Sequence, residues 1–228
     1  MTPGRGEAVS VVAGVRLTGA DRVDPFGDDP VDVHVRDGLI IDIAPAGALP
    51  ARGVVVDGSG GWLVPGLWDH HVHTVQWALT AQRTPLGDVD SAAEAASVMG
   101  RSPVLDDGRR VGTGFRDAFW ADAPSLTLLD EKTGDVPTYL INADVHSVWL
   151  NSAAFRRESI VPTVDGILRE EPAFEISRRL NDLDTAVVDR YVLAALDRAA
   201  ARGVTGIVDL DMAWNADAWT RRLAAGFD

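Results

Sequence analysis

The hydrophobic pattern of this chain changes period once, near Trp62, and that change limits it to a small β module followed by βα units. Before Trp62 apolar and polar residues alternate: Val31, Val33 and Val35 interleave with Asp32, His34 and Arg36, the period of two of a half-buried strand. An extended run over residues 9–17, carrying Val9, Val11 and Val12, precedes it. Asp37-Gly38 supplies a two-residue hairpin turn, because a type I′ turn needs positive φ at both central positions, and residues 39–43 form the return strand. Residues 54–56 start another strand, broken by Gly58-Ser59-Gly60-Gly61. The expectation for this part is a small antiparallel β module.

After Trp62 the apolar run Leu63-Val64-Pro65-Gly66-Leu67 leads into Asp69-His70-His71-Val72-His73. Ser91 and Glu94 form an S-x-x-E capping box that starts a helix over residues 92–99. Residues 138–142 read as a buried strand. Asp184 caps a helix whose broad face carries Val187, Val188, Tyr191, Val192, Ala195, Leu196 and Ala199. Gly203 stands where a left-handed residue ends that helix, and residues 204–208 make a further strand ending at Asp209. Strand, helix, strand in that order predicts βα units on a parallel sheet.

Composition removes several function classes. With 34 acidic and 21 basic residues the net charge is −13, so neither nucleic acid nor an anionic membrane is attracted at long range. No apolar run approaches the roughly 18 residues that cross a bilayer, and residues 1–7 lack the basic and apolar regions of a secretory signal. There is no cysteine, which excludes disulfides and thiolate metal sites. The expected location is cytoplasmic.

His70, His71 and His73 are three of the five histidines. Along a strand residues i and i+2 face the same way, so His71 and His73 point together, about 6–7 Å apart, while His70 points opposite. Two imidazoles so placed can converge on one divalent ion. Asp69 shares their face, and either fixes a ligand tautomer or caps the strand end. A hydrophobic strand that ends in ligands after a Pro-Gly turn is how a barrel strand delivers chemistry to its C-terminal mouth. His146, just after the strand at 138–142, can contact substrate or stabilise an oxyanion. Asp209 and Asp211 either line the same mouth or cap a helix. The tryptophans, Trp68, Trp77, Trp120 and Trp149 among them, either shape an aromatic pocket or pack the core.

The stretch from Val64 through Pro65-Gly66-Leu67-Trp68-Asp69-His70-His71-Val72 to His73 resembles the signature of the amidohydrolase superfamily. Asp144-Val145-His146-Ser147-Val148-Trp149-Leu150-Asn151-Ser152-Ala153-Ala154, Gly166-Ile167-Leu168-Arg169-Glu170 and the segment from Gly203-Val204-Thr205 to Asp209 are similar to segments of its amidohydrolase-3, or YtcJ-like, branch, which includes enzymes resembling N-substituted formamide deformylases.

The resemblance implies an α/β fold: the N-terminal part of a (β/α)8 TIM-type barrel over residues 65–228, preceded over residues 1–64 by half of a small composite β-sandwich. It implies a metal-dependent hydrolase of carbon–nitrogen bonds other than peptide bonds, in a small amide or cyclic amide, with one or two divalent ions, zinc the expected one, activating water. His71 and His73 would be metal ligands and His146 catalytic. Glu170 would be a carboxylate bridging two metals, with Glu171 as the neighbouring choice. Lys132, the only lysine, sits in a stretch read as polar loop and does not replace it. The alternative is a catalytically inactive amidohydrolase-like binding or scaffold protein.

The residues after His73 are too few for the about 250 of a complete barrel, and no histidine follows His146. A partial barrel leaves an open edge and an uncovered apolar face. The expectation is therefore a truncated fragment with little activity alone, whose partners are a small-molecule substrate, the missing C-terminal half and, as a further option, a second copy of the chain.

Overall fold

The structure, a computed structural model, describes residues 9–18 and 26–227. Residues 1–7, read above for their lack of a signal pattern, lie outside the described residues. The chain divides into two compact units, Met1–Leu67 and Trp68–Asp228.

The first unit is a five-stranded sheet of β1 (Val9–Leu17), β2 (Val31–Arg36), β3 (Leu39–Pro45), β4 (Val54–Asp57) and β5 (Trp62–Leu63). Asp37 (φ 50°) and Gly38 (φ 75°) make the left-handed turn between β2 and β3. Val15, Val31 and Val33 form a small buried core on one face. The pairing is not wholly antiparallel: β1 runs antiparallel to β2 but parallel to β4 and β5. The stretch between β3 and β4 is long enough to return the chain to the far side of β1, where a tight hairpin would have forced the opposite sense. Asp32, on the face that alternation assigns to water, is 5 % exposed; its two oxygens accept from Gly14 N (2.9 Å) and Gly47 N (2.8 Å), which satisfies the buried carboxylate.

The second unit takes β6 (Leu67–Val72) from its second residue onward, then α1 (Thr74–Thr80). A five-stranded sheet follows, built from β7 (Thr84–Pro85), β8 (Arg110–Phe115), β9 (Thr138–Asn142), β10 (Ser147–Leu150) and β11 (Ile167–Arg169), with α2 (Ala92–Arg101), α3 (Leu126–Thr133) and α4 (Ser152–Glu158) between its strands. Its order is β11-β10-β9-β8-β7. Then come α5 (Glu171–Asn181), α6 (Thr185–Ala200), β12 (Val204–Asp209) and α7 (Ala216–Ala224). The capping box is formed, with Ser91 Oγ accepting from Glu94 N at 3.1 Å. Lys132 lies in α3, not in a loop.

All five residues of β9 are buried, and Phe115, Tyr139 and Trp149 are fully enclosed around it. Trp149 is thus a core residue, as is partly buried Trp120, which stacks on Phe115 at 5.5 Å. Asn151 is the polar hub. Its Oδ1 accepts from Thr138 N (3.0 Å) and Ala154 N (2.9 Å), while Nδ2 donates to Thr133 Oγ1, Gly134 O and Val136 O.

The expected run of sequential βα units is corrected by the strand pairing. β7, β8 and β9 are parallel, but β9, β10 and β11 form an antiparallel meander. β6 pairs instead with β12, far along the chain, in a separate two-stranded sheet. Gly206 of β12 lies against the Trp68 indole of β6, and four residues further along both strands Leu210 N donates to Val72 O at 2.7 Å. The offset is constant, so the two strands run parallel. Local periodicity reports that strands and helices alternate; it does not report which strand pairs with which.

Candidate metal centre

His71 is on β6, and His73 is the first residue beyond it and the N-cap of α1. The two imidazoles lie edge to face with centroids 5.4 Å apart. Both line a cleft of about 470 Å3 together with Asp69, Gln76, Trp77 and Arg202. His70 is turned elsewhere and stacks on Trp68 at 6.0 Å. Asp69 braces the backbone rather than an imidazole: its Oδ1 accepts from His71 N at 3.0 Å. His73 Nδ1 is buried and has no hydrogen-bond partner among the described residues. Such a nitrogen is the feature expected where an ion or polar ligand completes the site. The pair fits two of the about four donors of a zinc-type site. Among the described residues no group of three or more His, Asp or Glu side chains is placed to hold a metal ion.

The cleft is fixed from the far strand. His73 gives α1 no side-chain cap, and the first turn of α1 has no acid of its own. Instead Asp209 Oδ1 accepts from Thr74 N (3.2 Å) and Asp211 Oδ2 from Val75 N (3.0 Å). Asp209 Oδ2 also accepts from Trp219 Nε1 of α7 at 2.8 Å. Of the two roles open to Asp209 and Asp211, the structure shows the cap, supplied across the β6–β12 pair to the turn that carries His73. Periodicity could not reveal this, because donor and acceptor lie more than a hundred residues apart.

His146 and Glu170 meet in a second place. His146 lies in the turn between β9 and β10, and Glu170 directly follows β11. Glu170 N donates to His146 O (2.8 Å), and His146 Nδ1 contacts Glu170 Oε2 at 3.1 Å. The His146 ring also packs edge-on against Phe174 at 5.1 Å. Val145 (φ 62°) and Glu170 (φ 54°) are both left-handed, and for a β-branched valine that is a strained backbone costing on the order of 1–3 kcal/mol. The turn is over-determined: Asp144 Oδ1 accepts from His146 N (2.8 Å) and Asn142 Oδ1 from Asp144 N (3.1 Å). With side chains 54 % and 73 % exposed, the His146–Glu170 contact is electrostatically weak. It does orient the ring, favouring a proton on Nδ1 and an accepting Nε2. Glu171, the neighbouring candidate, is ion-paired with Arg178 at 2.6 Å. The structure thus pairs His71 with His73 and His146 with Glu170, and does not gather the four into one group.

Residues 54–225 match the model of the Amidohydrolase family. The chain belongs to the amidohydrolase family. It is 27 % identical over 213 aligned residues to Protein LONG AFTER FAR-RED 3 of Arabidopsis thaliana, which covers 82 % of this chain and 35 % of that protein. Two solved structures share its fold, both of uncharacterized metal-dependent hydrolases. One, from Pyrococcus furiosus, has a TM-score of 0.71 at 17 % identity, over 96 % of this chain and 48 % of that one. The other, from Pyrococcus horikoshii OT3, has a TM-score of 0.70 at 16 % identity, over 96 % and 45 %. This amidohydrolase chain therefore spans about a third of the curated relative and just under half of each solved structure. No helix among its described residues is long and apolar enough to cross a membrane.

The cross-strand cap yields a prediction for the amidohydrolase centre. Asp209→Ala in the intact protein is expected to weaken divalent-metal affinity about 10–100-fold, the usual cost of losing a group that supports a ligand. Asp122→Ala is the control. Its two oxygens cap α2 in the same way, through Ala92 N (2.8 Å) and Ala93 N (3.0 Å), so it should lower thermal stability yet leave metal affinity unchanged. Equal metal affinities in the two variants would show that Asp209 is only a helix cap.

Proposed function

We propose that the intact protein is a metal-dependent hydrolase of carbon–nitrogen bonds other than peptide bonds, acting on a small amide or cyclic amide. The observation that carries this reading is the His71–His73 pair at the end of β6, with a buried ring nitrogen that has no partner among the described residues, in a chain of the amidohydrolase family. In this reading β6 and β12 are neighbouring strands of a (β/α)8 barrel, and β7–β11 with their helices are an insertion between them. The parallel β6–β12 pair supports it.

His71 and His73 would hold the ion, with zinc proposed because neutral imidazole suits it; the chain has no cysteine, so oxygen and nitrogen donors would complete the sphere. When bound, such an ion supplies an acidified water and polarises a carbonyl oxygen. The chain's own side chains bind and orient. Trp77 walls the cleft, Arg202 offers a fixed cation on its rim, and Asp209 and Asp211 hold the turn that carries His73. His146 is proposed to meet the substrate through Nε2, oriented by Glu170. The metal-ligand role for Glu170 competes with that one for the same carboxylate. The proposed setting is the cytoplasm, with a small-molecule substrate and membership of the YtcJ-like branch.

The rival reading, an inactive amidohydrolase-like binding protein, is favoured by one observation: no third donor joins His71 and His73 among the described residues. The two are separated by metal analysis of the intact protein and a panel of N-substituted formamides, linear amides and cyclic amides. Turnover that chelation abolishes and metal restores is the expected result. Stoichiometric metal without turnover of any member would leave the binding protein standing.

A further inference from the structure

A second cavity, of about 250 Å3, opens at the other end of α1 from His73, among Leu79, Arg83, Arg109, Leu180, Val187 and Tyr191. Its acids are already engaged. Asp106 is ion-paired with Arg190 at 2.8 Å, Asp107 sits beside both Arg109 and Arg157, and Asp184 caps α6 through Ala186 N at 2.8 Å. Arg109 is 5 % exposed and donates from Nη2 to Leu180 O at 2.9 Å. Arg83 is different. It is half-buried, its guanidinium donates to the neutral side chain of Asn181, and no carboxylate lies within ion-pair distance of it among the described residues. This holds in a chain with 34 acidic residues. Burial first, and the charge of Arg109 second, pull the Arg83 guanidinium below its ordinary value, so its charged form is uncompensated where it stands. The nearby ends of α1 and α5 offer partial negative charge from carbonyl groups, which is less than a counter-ion. A half-buried guanidinium facing an apolar cavity is the arrangement that receives an oxyanion.

We infer that this cavity binds a small carboxylate with an apolar body, its oxygens on Arg83 and its hydrocarbon against Leu79, Leu180 and Val187. The apolar wall selects a carboxylate over inorganic phosphate, since only a hydrocarbon body gains from that surface. The volume lies below the roughly 300–1,000 Å3 of pockets for drug-sized ligands, which limits the body to a few carbons or one ring. The inference is independent of the hydrolase reading, because none of these residues lines the His71–His73 cleft.

The test is calorimetric titration and thermal shift of the intact protein with benzoate and isovalerate, against benzamide and inorganic phosphate, for the wild type and Arg83→Gln. Saturable benzoate or isovalerate binding is expected, weakened about tenfold or more in Arg83→Gln, with benzamide and phosphate inactive. The variant itself should be at least as thermostable as wild type without ligand, because it removes an uncompensated half-buried charge. That outcome also guards against reading a folding defect as lost binding. Equal carboxylate binding by the variant, equal binding of benzamide or phosphate, or no carboxylate binding at all would overturn the assignment.

Discussion

Replacing both His71 and His73 with alanine in the intact protein is expected to bring bound divalent metal down to background while leaving the fold in place. Neither imidazole carries structural weight. The His71 ring is exposed, and the Asp69 bond is made to its backbone nitrogen, which alanine retains. His73 Nδ1 has no protein partner among the described residues, so its loss orphans no donor or acceptor. The N-terminus of α1 is held by Asp209 and Asp211 rather than by the His73 side chain. Stability should therefore change by no more than about 1 kcal/mol. In the proposed hydrolase, turnover should fall about a thousandfold or more, because such an ion would contribute several kcal/mol of transition-state stabilisation and each ~1.4 kcal/mol is a factor of ten. Metal analysis by mass spectrometry beside a melting curve reads both halves. Undiminished metal content in a folded double variant would sink the metal centre proposed at β6.

Asn151→Ala should do the reverse, destabilising the protein by about 3–5 kcal/mol with no specific effect on chemistry in whatever remains folded. Asn151 is fully buried and five polar groups converge on its amide. Alanine removes the cap of α4, a loss of about 1 kcal/mol. It also leaves Thr138 N, Gly134 O and Val136 O without that partner in a closed interior, at about 1–3 kcal/mol for each group that water cannot reach. Asn151→Asp should be nearly as harmful, since it keeps the two accepting contacts but turns a second oxygen toward the two carbonyls. Denaturant unfolding of the intact protein measures the cost. A loss below about 1 kcal/mol would mean that water enters and re-satisfies the site.

Asn151 also shows how far a motif can be read. The segment from Asp144 to Ala154 signals family membership, yet much of it is structural. Trp149 fills the core, Asn151 ties the end of α3 and the connection into β9 to the start of α4, and Ser152 is bound to Asp130 through both its backbone nitrogen (2.7 Å) and its hydroxyl (2.6 Å). His146, by contrast, is exposed and its ring lies beside the Glu170 carboxylate. A residue pattern does not distinguish a side chain that touches substrate from one that holds the scaffold, because either is sensitive to replacement.

What the sequence determined by itself was everything set by near neighbours. Asp37-Gly38 dictated the left-handed turn, Ser91 and Asp184 started their helices, Gly203 took a left-handed conformation two residues past the Ala201 cap of α6, and the spacing of His71 and His73 put two imidazoles side by side. These are consequences of backbone sterics and of hydrogen bonds spanning two to four residues. Tertiary structure alone decided the partnerships: that β1 takes parallel neighbours, that β6 joins β12 over the length of an intervening sheet, that Glu170 reaches His146, and that aspartates at the end of β12 cap the helix behind His73. In each case the choice rests on which buried polar groups find partners and which apolar faces close against one another. Those quantities exist only once distant segments meet.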